Sequence, residues 1–496
     1  MQPNCLNRRA LLTETGLGLS GVALAALLAR DGSAAGSAAG DGPDGQPHFP
    51  PRAKNVIWLF MRGGFSHLET FDPKPTLDKY AGKTLAETPW KYVQDPERLK
   101  KLRVAATNQN TQRNRLYETQ TGFRKYGESG IEVSDFFPHV GNCIDDIAVV
   151  RSMWTTDDNH GAQYQFETGR HNLDGSFPNI GAWVTYGLGS LNDNLPSYVK
   201  MGVKYPQVHN DGSYLGRAYD AVRLEVDPQN PLPYAQPALD LSREEQRLQF
   251  DLVKRLNQIE AVRSPADEAL RARLKSYELA FRMQTAVPEV IRFEDETAAT
   301  QQLYGLQDSK TKAFGMQLLA ARRFVEKGVS FVKIMHGAGA AGAWDAHGNV
   351  KSNHTSLAAQ VDKPVAGLLA DLKQRGLLEE TIVVFATEFG RTPGTQGGTG
   401  RDHHPFGFSV WLAGGGIKGG VTHGATDEIG FHAEENPHYV TDIHATLLRQ
   451  LGLDSRRLNM AGQQRLEMEY GHPIEEIIAR SMGDVPAPTC CSATAW

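Results

Sequence analysis

The chain is 496 residues long, with 40% hydrophobic and 22% charged residues, proportions that exclude a disordered or fibrous protein and fit a soluble folded one. Its formal charge is -5, from 52 basic and 57 acidic side chains, and no Lys- and Arg-rich block stands out, which argues against a nucleic acid or an anionic membrane as partner. The four cysteines, Cys5, Cys143 and the adjacent Cys490 and Cys491, show neither zinc-knuckle spacing nor a disulfide framework, and a core of this size requires neither.

Residues 1–39 read as a twin-arginine signal peptide. Asn7-Arg8-Arg9-Ala10-Leu11-Leu12 supplies the charged start, a weakly apolar, Gly-containing stretch runs from Thr15 to Ala29, and Ser33–Ala39 offers small residues to a peptidase. The stretch is shorter than the ~20 apolar residues of a membrane span. The expectation is therefore export through the Tat translocon to the periplasm or cell exterior, with no transmembrane segment in the mature chain. Residues 40–53, rich in Gly, Pro and Asp, read as a flexible lead-in, 54–480 as one α/β domain, and 481–496 as a loose tail.

The first strand signal is Asn55-Val56-Ile57-Trp58-Leu59-Phe60-Met61, a mostly apolar run soon closed by Gly63-Gly64. A run without alternation predicts a strand buried on both faces, and the pattern returns at Ile147–Val150, Ser330–Met335 and Thr381–Ala386. Ala313–Lys327 is an amphipathic helical repeat that stops at Gly328, and His354–Leu377 carries apolar residues at helical spacing up to Gly376. Helix, glycine, buried strand, twice over, predicts an α/β fold with a mostly parallel sheet covered by helices. Residues 241–296 break this rhythm. Glu244–Ile259 and Ala266–Gln284, separated by Ser264-Pro265, are dense in Glu, Arg, Leu and Ala and read as an inserted helical hairpin that packs as an arm.

Open parallel sheets bind ligands beyond the carboxyl ends of their strands, so the loops there hold the candidate site residues. After the first strand come Ser66, His67, Glu69 and Asp72. Ser66 is a candidate nucleophile and the other three are candidate metal ligands; the alternative is a tight turn capped by Ser66. After Ile147–Val150 come Thr155, Thr156, Asp157, Asp158 and His160. Two carboxylates and an imidazole this close suit a divalent cation, the two hydroxyls are further candidate nucleophiles, and an Asp-rich helix cap is the alternative. Asp345 and His347 lie two apart beyond a glycine-rich loop, a spacing that brings both to one ion from an extended backbone. Glu388 follows the strand Thr381–Ala386, where a buried acid needs a positive partner, either Arg391 as a plain ion pair or a metal ion that Glu388 binds. Asp402, His403 and His404 form the most ligand-like stretch, although both histidines cannot easily face one ion, which leaves one to support the ligands or bind an oxyanion. Arg391 and Arg401 are the candidates for holding phosphate or sulfate. Gly414–Gly420 lacks the Walker spacing and reads as a turn near the site.

The segments RGGFSHLETFDPKP, TTDDNHG, SYELAFRMQ, WDAHGN, EFGRTP, GRDHHP and WLAGGGIKGG resemble, in order and across residues 54–475, the motifs of the bacterial family called domain of unknown function 1501. That family is similar to sulfatases and alkaline phosphatases. The resemblance implies a central, mostly parallel sheet between helical layers, with a metal site at the strand ends. In that superfamily an Asp follows the first strand, a Ser, Thr or Cys is the nucleophile, and Asp and His ligands come from two late strand ends and a last His. By position, Asp345 and His347 resemble the first late pair, Glu388 the acid after the following strand, and His403 or His404 the last His. The sequence departs twice. Arg62 or Gly63 stands where the first Asp is expected, with Glu69 or Asp72 as substitutes, and Phe389 follows Glu388 where a His completes the pair. No Cys-x-Pro-x-Arg signature is present, so a formylglycine nucleophile is absent. The resemblance implies an exported, metal-dependent hydrolase of small or polymeric anionic esters, phosphate or sulfate, with Zn, Ca, Mg or Mn as cofactor. The two departures support the competing expectation of a non-catalytic extracytoplasmic binding or surface protein that retains the fold.

Overall fold

The first strand, β1 (Asn55–Met61), forms where seven successive residues all pack inward. Ile57, Leu59 and Met61 join a core on one face of the sheet, and Val56, Trp58 and Phe60 join a second core on the other. The fold is that of a computed structural model, which describes residues 45–101, 113–202, 210–227, 242–263 and 268–479. The expected leader with Arg8 and Arg9, residues 40–44 of the lead-in, the Ser264-Pro265 break and the tail 481–496 lie outside the described residues.

The strands continue with β2 (Phe123–Tyr126) and β3 (Ile131–Ser134), an antiparallel pair, then β4 (Ile147–Trp154), β5 (Tyr198–Gly202), β6 (Val222–Arg223), β7 (Phe331–His336) and β8 (Thr381–Ala386). A hairpin of β9 (Gly390–Gln396) and β10 (Gly400–His404) leads to β11 (Phe408–Ala413) and β12 (Val421–His423). Then come the paired β13 (Ala425–Thr426) and β14 (Ala433–Glu435), and last β15 (His438–Tyr439). The central sheet runs β12, β4, β11, β8, β1, β7, β5, β6, with β15 also on β4. All its pairings are parallel except those of β11 with β8 and β4. β11 is antiparallel because the β9–β10 hairpin, not a crossover helix, joins it to β8.

Among the described residues the longer helices are α1 (Gly161–Thr168), α2 (Ile180–Leu188), α3 (Arg243–Arg263), α4 (Glu268–Ile291), α5 (Lys312–Glu326), α6 (Val350–Gln374) and α7 (Val440–Gln450). Phe166 of α1, Trp183 of α2 and Leu447 of α7 cover the Trp58 face. Phe324 of α5, Leu368 of α6 and Ile291 of α4 cover the other. Each such side chain, fully buried, contributes about 1.5–3 kcal/mol. The α/β architecture expected from the sequence, a mostly parallel sheet between helical layers, is the one observed.

β1 and β8 have the expected bounds, while β4 runs on to Trp154 and β7 is shifted by one residue. The expected hairpin is α3 with α4, joined by a stacked contact of Phe250 on Phe281 at 4.9 Å. Met283, Val287 and Ile291 anchor α4 in the core. One expectation is corrected: Gly414–Gly420 does not lie near the strand ends that carry the candidate ligands. β11 runs antiparallel to β8, so the turn after it falls by Leu378 and Thr381, at the opposite end of the sheet. No helix among the described residues is long and apolar enough to cross a membrane.

Candidate metal centre

Four parallel strands, β1, β4, β7 and β8, end on the same side of the sheet, and the chain beyond each reaches one cluster. β1 contributes backbone. Gly63 has φ +115°, a Cβ there would stand 2.5 Å from the Asp345 nitrogen, and its N–H donates to Glu388 Oε1 at 2.8 Å. Only glycine combines that dihedral with so close an approach. β8 delivers Glu388, which is fully buried. β4 leads to His160, β7 leads through a glycine-rich loop to Asp345 and His347, and the β9–β10 hairpin brings Asp402 and His403 across the top.

Asp345 is the hub. Its Oδ1 lies 3.0 Å from His347 Nε2 and 3.1 Å from His403 Nε2, its Oδ2 lies 3.3 Å from His160 Nε2, and Arg391 donates to it at 2.8 Å. Burial raises the pKa of this carboxyl, but the three imidazoles and the Arg391 charge outweigh it and hold the group far below the usual carboxylate range. His160 is gripped from both sides, with Nδ1 3.1 Å from Glu388 Oε1. Burial opposes its charge, yet the bonds to Asp345 and Glu388 push its pKa up to about 9. His403 is lowered instead, because burial outweighs the attraction of the Asp345 carboxylate. Its Nδ1–H donates to the Asp158 carbonyl at 2.7 Å, leaving the Nε2 lone pair aimed at the cluster. His347, raised by Asp345, also bonds Gln396 Oε1 at 2.6 Å through Nδ1. Asp402 accepts from Arg113 Nε at 2.9 Å. Asp158 is pushed up to about 7 by burial and by the neighbouring Asp157 and Asp402 carboxylates.

Two sets of three side chains have ligand atoms all within 4.8 Å of one another: His160, Asp345 and His403, and His347, Asp402 and His403. His403 offers a single lone pair, so it serves one ion and the two sets are alternatives. Two imidazoles and a carboxylate are a donor set that suits a borderline divalent ion such as zinc, and Arg391 and Glu388, bonded to Asp345 and His160, are the outer contacts that fix such ligands.

The structure leaves the other candidates outside this cluster. Ser66 is fully buried and its hydroxyl donates to Glu69. Thr155 is also buried and donates to Gln165 at 2.8 Å, while Thr156 accepts from the same Gln165 amide. Glu69 lies in a bidentate ion pair with Arg401, both fully buried, so the Arg401 guanidinium is spent on Glu69 and four backbone carbonyls. Arg391 touches Asp345 but is likewise enclosed, donating to the Gly64 carbonyl at 2.7 Å. Asp72 pairs with Lys74 at 3.0 Å. Asp157 accepts from the Asn159 N–H at 2.8 Å within the loop and meets His171 at 2.9 Å, and the helix that follows, with His160 at its N-cap, has no side-chain cap. His67 and His404 stack on each other and bond the carbonyls of Gly430 and Phe431, inside the core. His403 and His404 point to opposite faces because they are neighbours on a strand. Sequence reasoning missed Arg113, Gln396, His171 and the Gly63 amide. Each lies apart from the His- and Asp-rich motifs or acts through its backbone, and only the register of the β9–β10 hairpin, which sets Gln396 opposite Gly400, offered a signal for one of them.

The sequence profile of the family described as "Protein of unknown function (DUF1501)" matches residues 53–478. Among curated proteins none matches the sequence. The solved structures that align with the chain include the lipoteichoic acid synthase LtaP from Listeria monocytogenes, at 10% identity and TM-score 0.33, covering 87% of this chain and 79% of that one. They include the PsFucS1 sulfatase from Pseudoalteromonas sp., at 13% identity and TM-score 0.36, covering 86% and 72%. The alkaline phosphatase of the Antarctic bacterium TAB5 aligns at 10% identity and TM-score 0.28, covering 74% and 92%. Likeness at these scores bears on neither substrate nor reaction.

Proposed function

The chain belongs to the DUF1501 family, and from that premise and the cluster around Asp345 we propose that it is an exported, metal-dependent hydrolase of phosphate or sulfate esters. The observation that carries this reading is the convergence of His160, Asp345 and His403 from three separate strand-end segments. Of the ions expected, zinc suits two imidazoles and a carboxylate better than calcium, magnesium or manganese, which favour oxygen donors. Bound there, the ion supplies a Lewis acid and lowers the pKa of bound water.

The chain's own groups account for the rest. Arg391, locked on the Gly64 carbonyl, holds Asp345 in place, and Glu388, tied to the Gly63 amide, orients His160. Arg391, Arg113 and the raised His160 offset the carboxylates of Asp345, Glu388 and Asp402, and a bound divalent cation would add the positive charge that attracts an anionic ester. With Ser66 and Thr155 enclosed and the half-buried Thr156 hydroxyl tied to the Gln165 amide, water is the nucleophile of choice, and His347, 38% exposed at the rim, is placed to move its proton. Export rests on the leader sequence, with the Tat translocon as partner and the periplasm or cell exterior as destination; blocking that translocon should leave the chain in the cytoplasm.

The test compares the full-length chain with Asp345→Asn/His403→Gln for zinc and manganese content and for hydrolysis of p-nitrophenyl phosphate and sulfate. The double variant should hold one ion fewer and hydrolyse neither ester. Equal metal content in both proteins, with no hydrolysis by either under any divalent ion, would overturn the reading in favour of a binding protein.

A further inference from the structure

The outer edge of β4 carries two short parallel strands end to end: β12, paired through His423 to Val150, and β15, paired from His438 to Met153. The last residue of one strand and the first of the other are therefore histidines that face each other across the break. Their Nε2 atoms are 2.9 Å apart and their ring centroids 5.0 Å, so the imidazoles meet at their tips. None of the Asp345 cluster takes part.

The tautomer of His438 is set by its other nitrogen. Nδ1 lies 2.8 Å from Asp442 Oδ2, and a carboxylate only accepts, so Nδ1 carries the proton and Nε2 presents a lone pair to His423. Asp442 is itself fixed, its Oδ1 accepting from the His472 N–H at 2.8 Å. Carboxylate, imidazole, then an open nitrogen is the arrangement that orients metal-binding histidines. Glu476 Oε2 stands 3.9 Å from His423 Nε2 on a side chain that is 65% exposed, and it must turn toward His438 to complete a set of three. Two ligands of one tetrahedral ion with bonds of about 2.0 Å sit about 3.3 Å apart, a small opening from the distance here.

We propose that His423 and His438 hold a second divalent transition-metal ion, with Glu476 as third ligand and Asp442 as the positioning carboxylate. The ion closes the break between β12 and β15 and ties the segment 424–437, with its β13–β14 pair, to the edge of the sheet. Imidazole donors select zinc, copper or nickel over magnesium or calcium.

The experiment uses the full-length chain carrying Asp345→Asn/His347→Gln/His403→Gln, which removes both ligand sets of the first cluster, titrated with zinc alone. One zinc per chain should remain. Adding His438→Gln should weaken that binding at least 100-fold, and Asp442→Asn should weaken it about 10- to 100-fold, as outer-shell substitutions do. X-ray absorption at the zinc edge of the triple variant, which needs no further substitution, should show two imidazole ligands. A triple variant that binds no zinc, a zinc shell without imidazole, or affinity unchanged by His438→Gln would overturn the proposal and leave the pair as an ordinary N–H···N hydrogen bond. Loss of the first cluster's activity leaves these readouts unaffected, so the two sites stand or fall separately.

Discussion

Glu69→Gln exchanges a carboxylate oxygen for an amide in a fully buried side chain and removes the only acidic partner of Arg401 among the contacts described. In the native fold burial pushes the Glu69 pKa up, but the Arg401 charge and hydrogen bonds prevail and hold it below its ordinary value. The substitution leaves a guanidinium without a counter-charge, although the carbonyls of Thr392, Pro393, Tyr117 and Glu118 still accept from it. Breaking a buried pair from one side costs about 3–5 kcal/mol, and those four acceptors place Glu69→Gln near the lower end. Arg401→Met also strands the carbonyls and belongs near the upper end. Glu69→Gln/Arg401→Met removes both charges and should cost less than the two single changes together by more than about 2 kcal/mol. Urea unfolding followed by circular dichroism measures each value, and elemental analysis of the same samples measures bound metal. A Glu69→Gln chain of unchanged stability that has lost an ion would refute the structural role and make Glu69 a ligand.

Gly63→Ala must bring a Cβ to 2.5 Å from the Asp345 nitrogen at φ +115°; it should lose more than about 2 kcal/mol and bind metal more weakly than wild type in a zinc titration, whereas wild-type affinity would show that the loop yields without moving Asp345. His67, His336, His354, His432 and His444 are each lowered to about 4 by burial, so their stabilising contribution is complete above pH 6.5 and lost as pH falls toward 4. Burial raises Asp362 and Asp427 to about 6 and Asp158 to about 7, and Asp345 and Glu388 raise His160 to about 9, which works the other way, but the five lowered histidines outweigh these four groups and should lower the urea midpoint between pH 7 and pH 5; a midpoint that rises would sink the argument.

The strands were legible because a run such as Thr381–Ala386 has no polar face to misread, and the rich loops after them were legible because His and Asp are rarely grouped without cause. Which member of each loop faces the cluster was not. His67 and Glu69 lie in a one-turn 3-10 segment whose three residues are all buried, and nothing in the letters distinguishes a histidine that bonds a core carbonyl from one that meets Asp345. The reversal of β11 was hidden too, since Phe408–Ala413 is buried throughout and reads like its parallel neighbours. His423 and His438 escaped notice because each sits on a strand too short to show a period.

His160 stands 185 residues before Asp345 and 228 before Glu388 in the chain, so the cluster is complete only when these distant segments have met. Contacts of such separation form late, after loop-closure entropy has been overcome. An unfinished chain thus has no high-affinity seat for an ion, and the metal is chosen by the pool that surrounds the protein when folding ends. For a chain exported already folded, as proposed here, that pool is the cytoplasm, whose buffered metals, and not those of the compartment where the protein works, would decide what the site contains.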